Sequence, residues 1–198
     1  MNQLADATAA RSALRAEARA RRDAMTVAMR AAASAAIADR AIAIAGAILP
    51  NVVAAYRAIR SEVDPEAIIA WAARHRIASA LPATDSGATL VFRRYRPGDP
   101  LVPAGFGTLA PEAKAEEVDP DLVIVPLVAF DRAGTRLGYG RGFYDRGIHR
   151  LRARGGKPLT VGLAFAVQEV AAIPAEGHDV RMDWIVTEAA TFDFHRVN

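Results

Sequence analysis

Hydrophobic and polar positions follow a helical rhythm over the first fifty residues of this chain, and a different one after that. Leu14, Ala18, Arg21 and Met25 recur at helical spacing, with Arg11, Arg15, Arg19 and Arg22 as a charged stripe beside them. A second helix carries Ile37, Ala41, Ile44, Ala45 and Ile48 on one face and must end before Pro50. Short apolar runs then alternate with helical segments. Residues 52–56 predict a strand, 64–75 a helix opened by Asp64-Pro65-Glu66, and 77–81 a strand stopped by Pro82. Branched and aromatic residues predict a further strand over 89–95. Residues 96–120 are rich in proline and glycine and read as a long irregular connection, a kind of segment that usually serves function. Residues 121–126 form a nearly pure apolar run, as in a strand buried on both faces. A glycine-rich turn, a helix over 143–154, a buried strand over 159–165 and a short last strand over 184–187 complete the pattern. Strands alternating with helices predict one α/β domain over residues 1–198. Its architecture would be three-layered αβα: a mainly parallel, Rossmann-like sheet with helices on both faces.

Composition narrows the chemistry. The chain has 198 residues and no cysteine, which excludes disulfides, thiolate metal sites and cysteine nucleophiles. Hydrophobic residues make up 52%, as in a globular protein, although much of that is alanine, which buries little area. The net charge of +3 invites a nucleic-acid reading, but acids are interspersed among the basic residues and aromatics are sparse near them. A polyanionic small ligand would use the same charge. No apolar run reaches the roughly 18 residues of a membrane span, the longest weakly polar stretch being 41–50. Asp6, Glu17 and Asp23 argue against reading the arginine-rich start as an organelle transit peptide, so a cytoplasmic protein is expected. The four histidines (75, 149, 178 and 195) lack metal-ligand spacing and are expected to be structural or solvated.

The segment richest in chemistry is Asp131-Arg-Ala-Gly-Thr-Arg-Leu-Gly-Tyr-Gly-Arg-Gly-Phe-Tyr-Asp-Arg146, lying between a buried strand and a helix. Gly138, Gly140 and Gly142 let the backbone approach a ligand and turn its N–H groups inward, and the helix N-terminus adds partial positive charge. Arg136 and Arg141 supply forks that match phosphate oxygens. The glycine spacing is that of neither the dinucleotide fingerprint nor the P-loop, which disfavours a nicotinamide-dependent oxidoreductase. Phosphate binding is the expectation. Asp145 is either a carboxylate favoured by the helix start or a magnesium ligand, and Asp179 either a solvated turn residue or a second metal carboxylate.

The run from Val125-Pro126 to Arg146 resembles the signature of the 5-formyltetrahydrofolate cyclo-ligase family. Similar pieces follow in order along the chain: Arg11-Ser-Ala-Leu-Arg15, Tyr56 with Glu62-Val-Asp64, Phe106-Gly107, His178-Asp179, and Ile185-Val-Thr-Glu188. The resemblance implies an enzyme that uses magnesium and ATP to convert 5-formyltetrahydrofolate to 5,10-methenyltetrahydrofolate. It implies that Arg11, Arg15, Arg136, Leu137, Gly138, Tyr139, Gly140, Arg141, Gly142, Phe143 and Tyr144 hold ATP, and that Asp145 and Asp179 serve magnesium. It also implies that Arg57, Glu62 and Phe106 bind the folate, with Tyr139, Gly140, Arg141, Gly142 and Phe143 as a shared wall. Phe106 could equally be a core aromatic. Arg136, Arg141 and Tyr144 would be the catalytic side chains. Partners would be small molecules, without nucleic acid or membrane, and the protein a monomer or weak homodimer. The chain departs from the family's usual pattern in Arg11 for lysine, Phe143 for tyrosine, and Ala110 before Pro111 for glutamate. A family member that binds folate or nucleotide without efficient turnover is the alternative.

Overall fold

The computed structural model describes residues 3–85, 89–105 and 107–195. Two long helices come first, α1 (Gln3–Asp23) and α2 (Val27–Ile48), followed by β1 (Val52–Ala54), α3 (Glu66–Arg74), β2 (Ala78–Asp85) and β3 (Thr89–Tyr95). A small hairpin of β4 (Leu101–Pro103) and β5 (Leu109–Pro111) precedes the buried strand β6 (Leu122–Pro126). A second hairpin, β7 (Ala129–Phe130) and β8 (Arg136–Leu137), leads into α4 (Phe143–Ala153); β9 (Leu159–Leu163), β10 (Trp184–Val186) and β11 (Thr191–Asp193) complete the order.

The main sheet runs β11-β10-β9-β6-β1-β2-β3. Its interior pairings are parallel, and only the edge pairs β2–β3 and β10–β11 are antiparallel. Strand β6 is central and alternates between two cores. Leu122 and Ile124 face Ile37 and Ala41 of α2 and Ile68 and Ile69 of α3, whereas Val123 and Val125 face Ile148 and Leu151 of α4. The expected three layers are therefore present, with helices on both faces of a mainly parallel sheet.

Helix α2 starts where the Thr26 side chain accepts a hydrogen bond from Met29 N (3.2 Å) and stops at Leu49, which adopts a left-handed conformation before Pro50. By length and composition it could cross a membrane, with a mean hydropathy of 1.5, so the expectation that no stretch reaches such a length needs correcting. Its further alanines before residue 41 extend the apolar stretch and raise the hydropathy, and its inward stripe of Ala33, Ile37, Ala38, Ala41 and Ala45 packs on the sheet.

Four other expectations also change. Strand β2 runs through Pro82 rather than stopping there. Ala55 N donates to Ala80 O, so the nitrogen two residues on faces the side where β1 has already ended, and no ladder bond is lost. The connection over 96–120 contains the β4–β5 hairpin, and a further edge strand, β11, follows the last one expected. Finally, the charged stripe of α1 does not stand apart from its apolar face: Arg11 and Arg22 turn inward. They are 6% and 1% exposed, on the same inward face of α1 as Ala18.

Candidate active site

The parallel strands β1, β2 and β6 deliver their carboxyl ends to one cavity of about 390 Å³, where Pro126, Pro82 to Thr84, and the segment after β1 form part of the wall. This is the edge at which open α/β sheets bind ligands. The hairpin residues Ala104, Thr108 and Leu109 border it from β4–β5.

The glycine-arginine segment is held in place by the β7–β8 hairpin. Asp131, only 4% exposed, accepts from Ala133 N (2.9 Å), Thr135 N (3.0 Å) and Ile173 N (2.9 Å), which fixes the turn before Arg136. Residues 138–142 then line the cavity. Gly140 (φ 90°) and Gly142 (φ 61°) have left-handed backbones that suit glycine. Gly142 is also the N-cap of α4 and offers no side-chain cap, and the positive end of the helix dipole lies at the cavity. Leu137 is fully buried among Ala18, Val128 and Ala129, and does not border the cavity.

Four arginines converge here. Arg15 Nε donates to Gly138 O (2.9 Å), tying α1 to the glycine segment. Burial, and then the charge of Arg11, lower the Arg15 pKa. Arg136 Nη2 donates to Asp145 Oδ1 (2.8 Å), which also accepts from Val180 N (3.0 Å), and Arg136 Nη1 donates to Val180 O. Arg11 makes a bidentate pair with Asp179 (2.6 and 3.1 Å) and donates to Pro174 O (2.8 Å). The bonds to Asp179 raise the Arg11 pKa. Burial works to raise that of Asp179, but the Arg11 and Glu176 N hydrogen bonds outweigh it and hold the carboxyl below its ordinary value. Arg141, the fourth, also borders the cavity.

Asp145 and Asp179 both border the cavity, each already bonded to an arginine. Glu176, His178 and Asp179 bring potential ligand atoms within 4.8 Å of one another, so His178 sits among hard-cation donors despite its unpromising spacing in the sequence.

The loop after β1 brings one buried carboxylate, Glu62, to the cavity beside Arg57 and Arg60. Glu62 accepts from Ile59 N (2.9 Å) and from the Tyr139 hydroxyl (2.8 Å). Burial raises its pKa against the opposing pull of those two bonds and of Arg22 and Arg60. Tyr56, fully buried, donates to Val63 O (2.8 Å). The Tyr144 hydroxyl is buried without a hydrogen-bond partner among the described residues, and burial drives its pKa far up. Phe143 borders the cavity, as does Arg57, which is paired with Glu66. Phe106 lies outside the described residues. Arg22, Ser61 and Glu176 belong to the site's framework and were not expected from the sequence.

A glycine-arginine segment and a buried acid sharing one cavity at the carboxyl edge of a parallel sheet is an arrangement suited to an α/β enzyme with an anionic substrate. The sequence pattern of the 5-formyltetrahydrofolate cyclo-ligase family matches residues 7–188. The chain is 30% identical over 163 residues to the 5-formyltetrahydrofolate cyclo-ligase of Escherichia coli strain K12, covering 79% of this chain and 88% of that one. It is 41% identical over 95 residues to that of Haemophilus influenzae, a match covering 46% of this chain and half of that protein. The solution structure of Aquifex aeolicus 5,10-methenyltetrahydrofolate synthetase superposes with a TM-score of 0.77 at 28% identity, covering 92% of each chain. The chain thus belongs to the 5-formyltetrahydrofolate cyclo-ligase family, ATP-dependent ligases that cyclise 5-formyltetrahydrofolate to 5,10-methenyltetrahydrofolate.

Proposed function

We propose that this cavity binds ATP and 5-formyltetrahydrofolate side by side and closes the folate ring by phosphorylating the formyl oxygen. One observation carries the assignment: the arginine-lined glycine segment and the buried Glu62 face one another across a single cavity, joined by Tyr139.

The formyl oxygen of an amide is a very poor leaving group. Its attack on the γ-phosphate of ATP forms an imidate phosphate and releases ADP. The N10 amine then adds to the activated carbon, phosphate departs with the former formyl oxygen, and N10 gives up its proton. The protein's contribution is positioning and charge neutralisation. Arg11, Arg15 and the 138–142 backbone hold the triphosphate, with Phe143 and Tyr144 closing the segment, and Arg136 and Arg141 face the charge that develops on the transferred group. Glu62 and Arg57 orient the folate, and Tyr139, shared by both walls, sets its distance from the nucleotide.

A magnesium ion would take Asp179, whose ligand atoms cluster with those of Glu176 and His178, and Asp145, a second hard oxygen donor on the same cavity, and would neutralise phosphate charge there. Both bonds to Asp145 fall on Oδ1, which favours Oδ2 as the donor. Arg11 holds both oxygens of Asp179, so its use as a ligand requires Arg11 to exchange that carboxylate for phosphate. We further propose that the chain works in the cytoplasm on these small molecules, as a monomer or weak homodimer, independently of nucleic acid or membrane. The packing of α2's apolar stripe on the sheet supports the last of these, since it gives that helix a place in the core.

The chemistry is tested with 5-formyltetrahydrofolate carrying ¹⁸O in the formyl group. Transfer of the label to inorganic phosphate is expected; unlabelled phosphate with normal cyclisation would rule out the imidate phosphate. Binding of both ligands without any turnover would favour a binding protein.

A further inference from the structure

Beneath Glu62, and outside the cavity lining, lies a fully buried cation that the mechanism above does not use. Arg22, on the last turn of α1, is 1% exposed. Its Nε donates to Ser61 Oγ (3.0 Å), and Ser61 Oγ in turn donates to Asp23. Its Nη2 donates to the Tyr139 hydroxyl oxygen at 3.3 Å, and that hydroxyl donates to Glu62 Oε1 at 2.8 Å. Its Nη1 is buried with no hydrogen-bond partner among the described residues. Asp23, the carboxylate paired with it, lies 3.9 Å away with a half-exposed side chain.

Burying a guanidinium with one nitrogen unsatisfied costs more than an apolar side chain of the same reach would. Packing alone does not account for an arginine here. What the cation contributes is a clamp. It grips Ser61 directly and Glu62 through Tyr139, so one side chain ties the acidic loop after β1 to the glycine segment after β8. Tyr139 can donate to only one acceptor, and a cation on its oxygen leaves Glu62 as that acceptor. The other groups facing Glu62 are Arg60 from its own loop and the Tyr56 and Tyr144 rings; of these, Arg60 is the only cation.

We infer that Arg22 is a positioning residue, which never touches substrate but sets the Tyr139–Glu62 pair so that Glu62 receives the folate ionised and in register with the nucleotide. This inference rests on the folate assignment proposed above. It makes the α1 terminus a determinant of folate affinity, separate from the ATP-holding arginines about two and three turns earlier.

The test compares Arg22→Gln, Arg22→Lys, Tyr139→Phe and the Arg22→Gln/Tyr139→Phe double variant, measuring KM for each substrate and folate affinity by direct titration. Arg22→Gln is expected to weaken folate binding by about tenfold or more, with KM for ATP moving less than about threefold. The acidic limb of kcat/KM for the folate should move to higher pH, because Glu62 loses a cation that favours its ionised form. Arg22→Lys should restore the limb. The double variant should be no worse than the poorer single one, since both cut the same link. Equal loss for both substrates, an unmoved limb, or additive effects would overturn the inference. If Arg22→Gln fails to fold, Tyr139→Phe decides alone: unchanged folate affinity in that variant refutes the clamp. A wild-type chain that binds the folate without turnover would refute the proposed reaction while leaving the clamp measurable; one that does not bind it refutes both.

Discussion

Replacing Asp145 by asparagine tests the framework of the phosphate site and its chemistry together. Asp145 Oδ1 accepts from Arg136 Nη2 at 2.8 Å and from Val180 N at 3.0 Å, with side-chain exposures of 16% for Asp145 and 5% for Arg136. Asparagine keeps an oxygen in place for both donors but removes the charge that makes the first bond strong. The difference between a charge-assisted and a neutral hydrogen bond is about 1–2 kcal/mol. For a chain of this size that is a fall in melting temperature of roughly 2–8 °C. Alanine removes the acceptor altogether and strands a buried guanidinium, which should cost about 3–5 kcal/mol. Urea unfolding followed by circular dichroism separates the two, provided the m-value is unchanged. The stability loss of the asparagine variant is too small to unfold the protein, so its turnover reports on the site. We expect a fall of about a hundredfold or more at limiting magnesium. An asparagine variant as stable as wild type would show that the Arg136–Asp145 pair is energetically idle. One that turns over normally at limiting magnesium would remove Asp145 from the metal site.

Further outcomes follow from other residues. Arg141→Ala should lower turnover by about 10²–10³ with little change in stability, since Arg141 borders the cavity and is exposed; undiminished turnover would contradict its assignment. Tyr144→Phe removes a buried hydroxyl that has no partner among the described residues, so stability should hold or rise by up to about 1 kcal/mol while turnover falls; a marked loss of stability on thermal unfolding would reveal an interaction that this geometry lacks. Burial raises the Glu62 pKa, so its ionised form is lost as the pH falls through a value above that of an ordinary glutamate. The pH profile of kcat/KM for the folate should therefore drop on its acidic side above the usual glutamate range, and Glu62→Gln should abolish that limb.

Much of the architecture was legible because the hydrophobic period is a local property. The α2 stripe and its stop before Pro50, the span of β3, and the both-faces-apolar run of β6 each follow from a few consecutive residues. What the sequence hid depended on neighbours. Pro82 is tolerated in β2 only because β1 is shorter, and β11 exists only as an edge partner of β10. The candidate site divides in the same way. The glycine-arginine segment is contiguous, so an anion-binding expectation could be formed from it directly, and Asp179 could be singled out as a carboxylate in a turn, whereas Glu62 was pointed to only by the family resemblance. Arg22 was illegible: its partners Ser61 and Tyr139 lie 39 and 117 residues away, and an arginine on a helix otherwise reads as a surface residue.

The central claim is that one cavity couples ATP cleavage to folate ring closure. Purified protein mixed with 5-formyltetrahydrofolate and magnesium-ATP, with the methenyl chromophore and ADP followed together, tests it most directly. Equal amounts of methenyl product and ADP, neither forming when the other substrate is withheld, are the predicted result. ADP formed without the chromophore, or no product from a chain that binds both ligands, would contradict it.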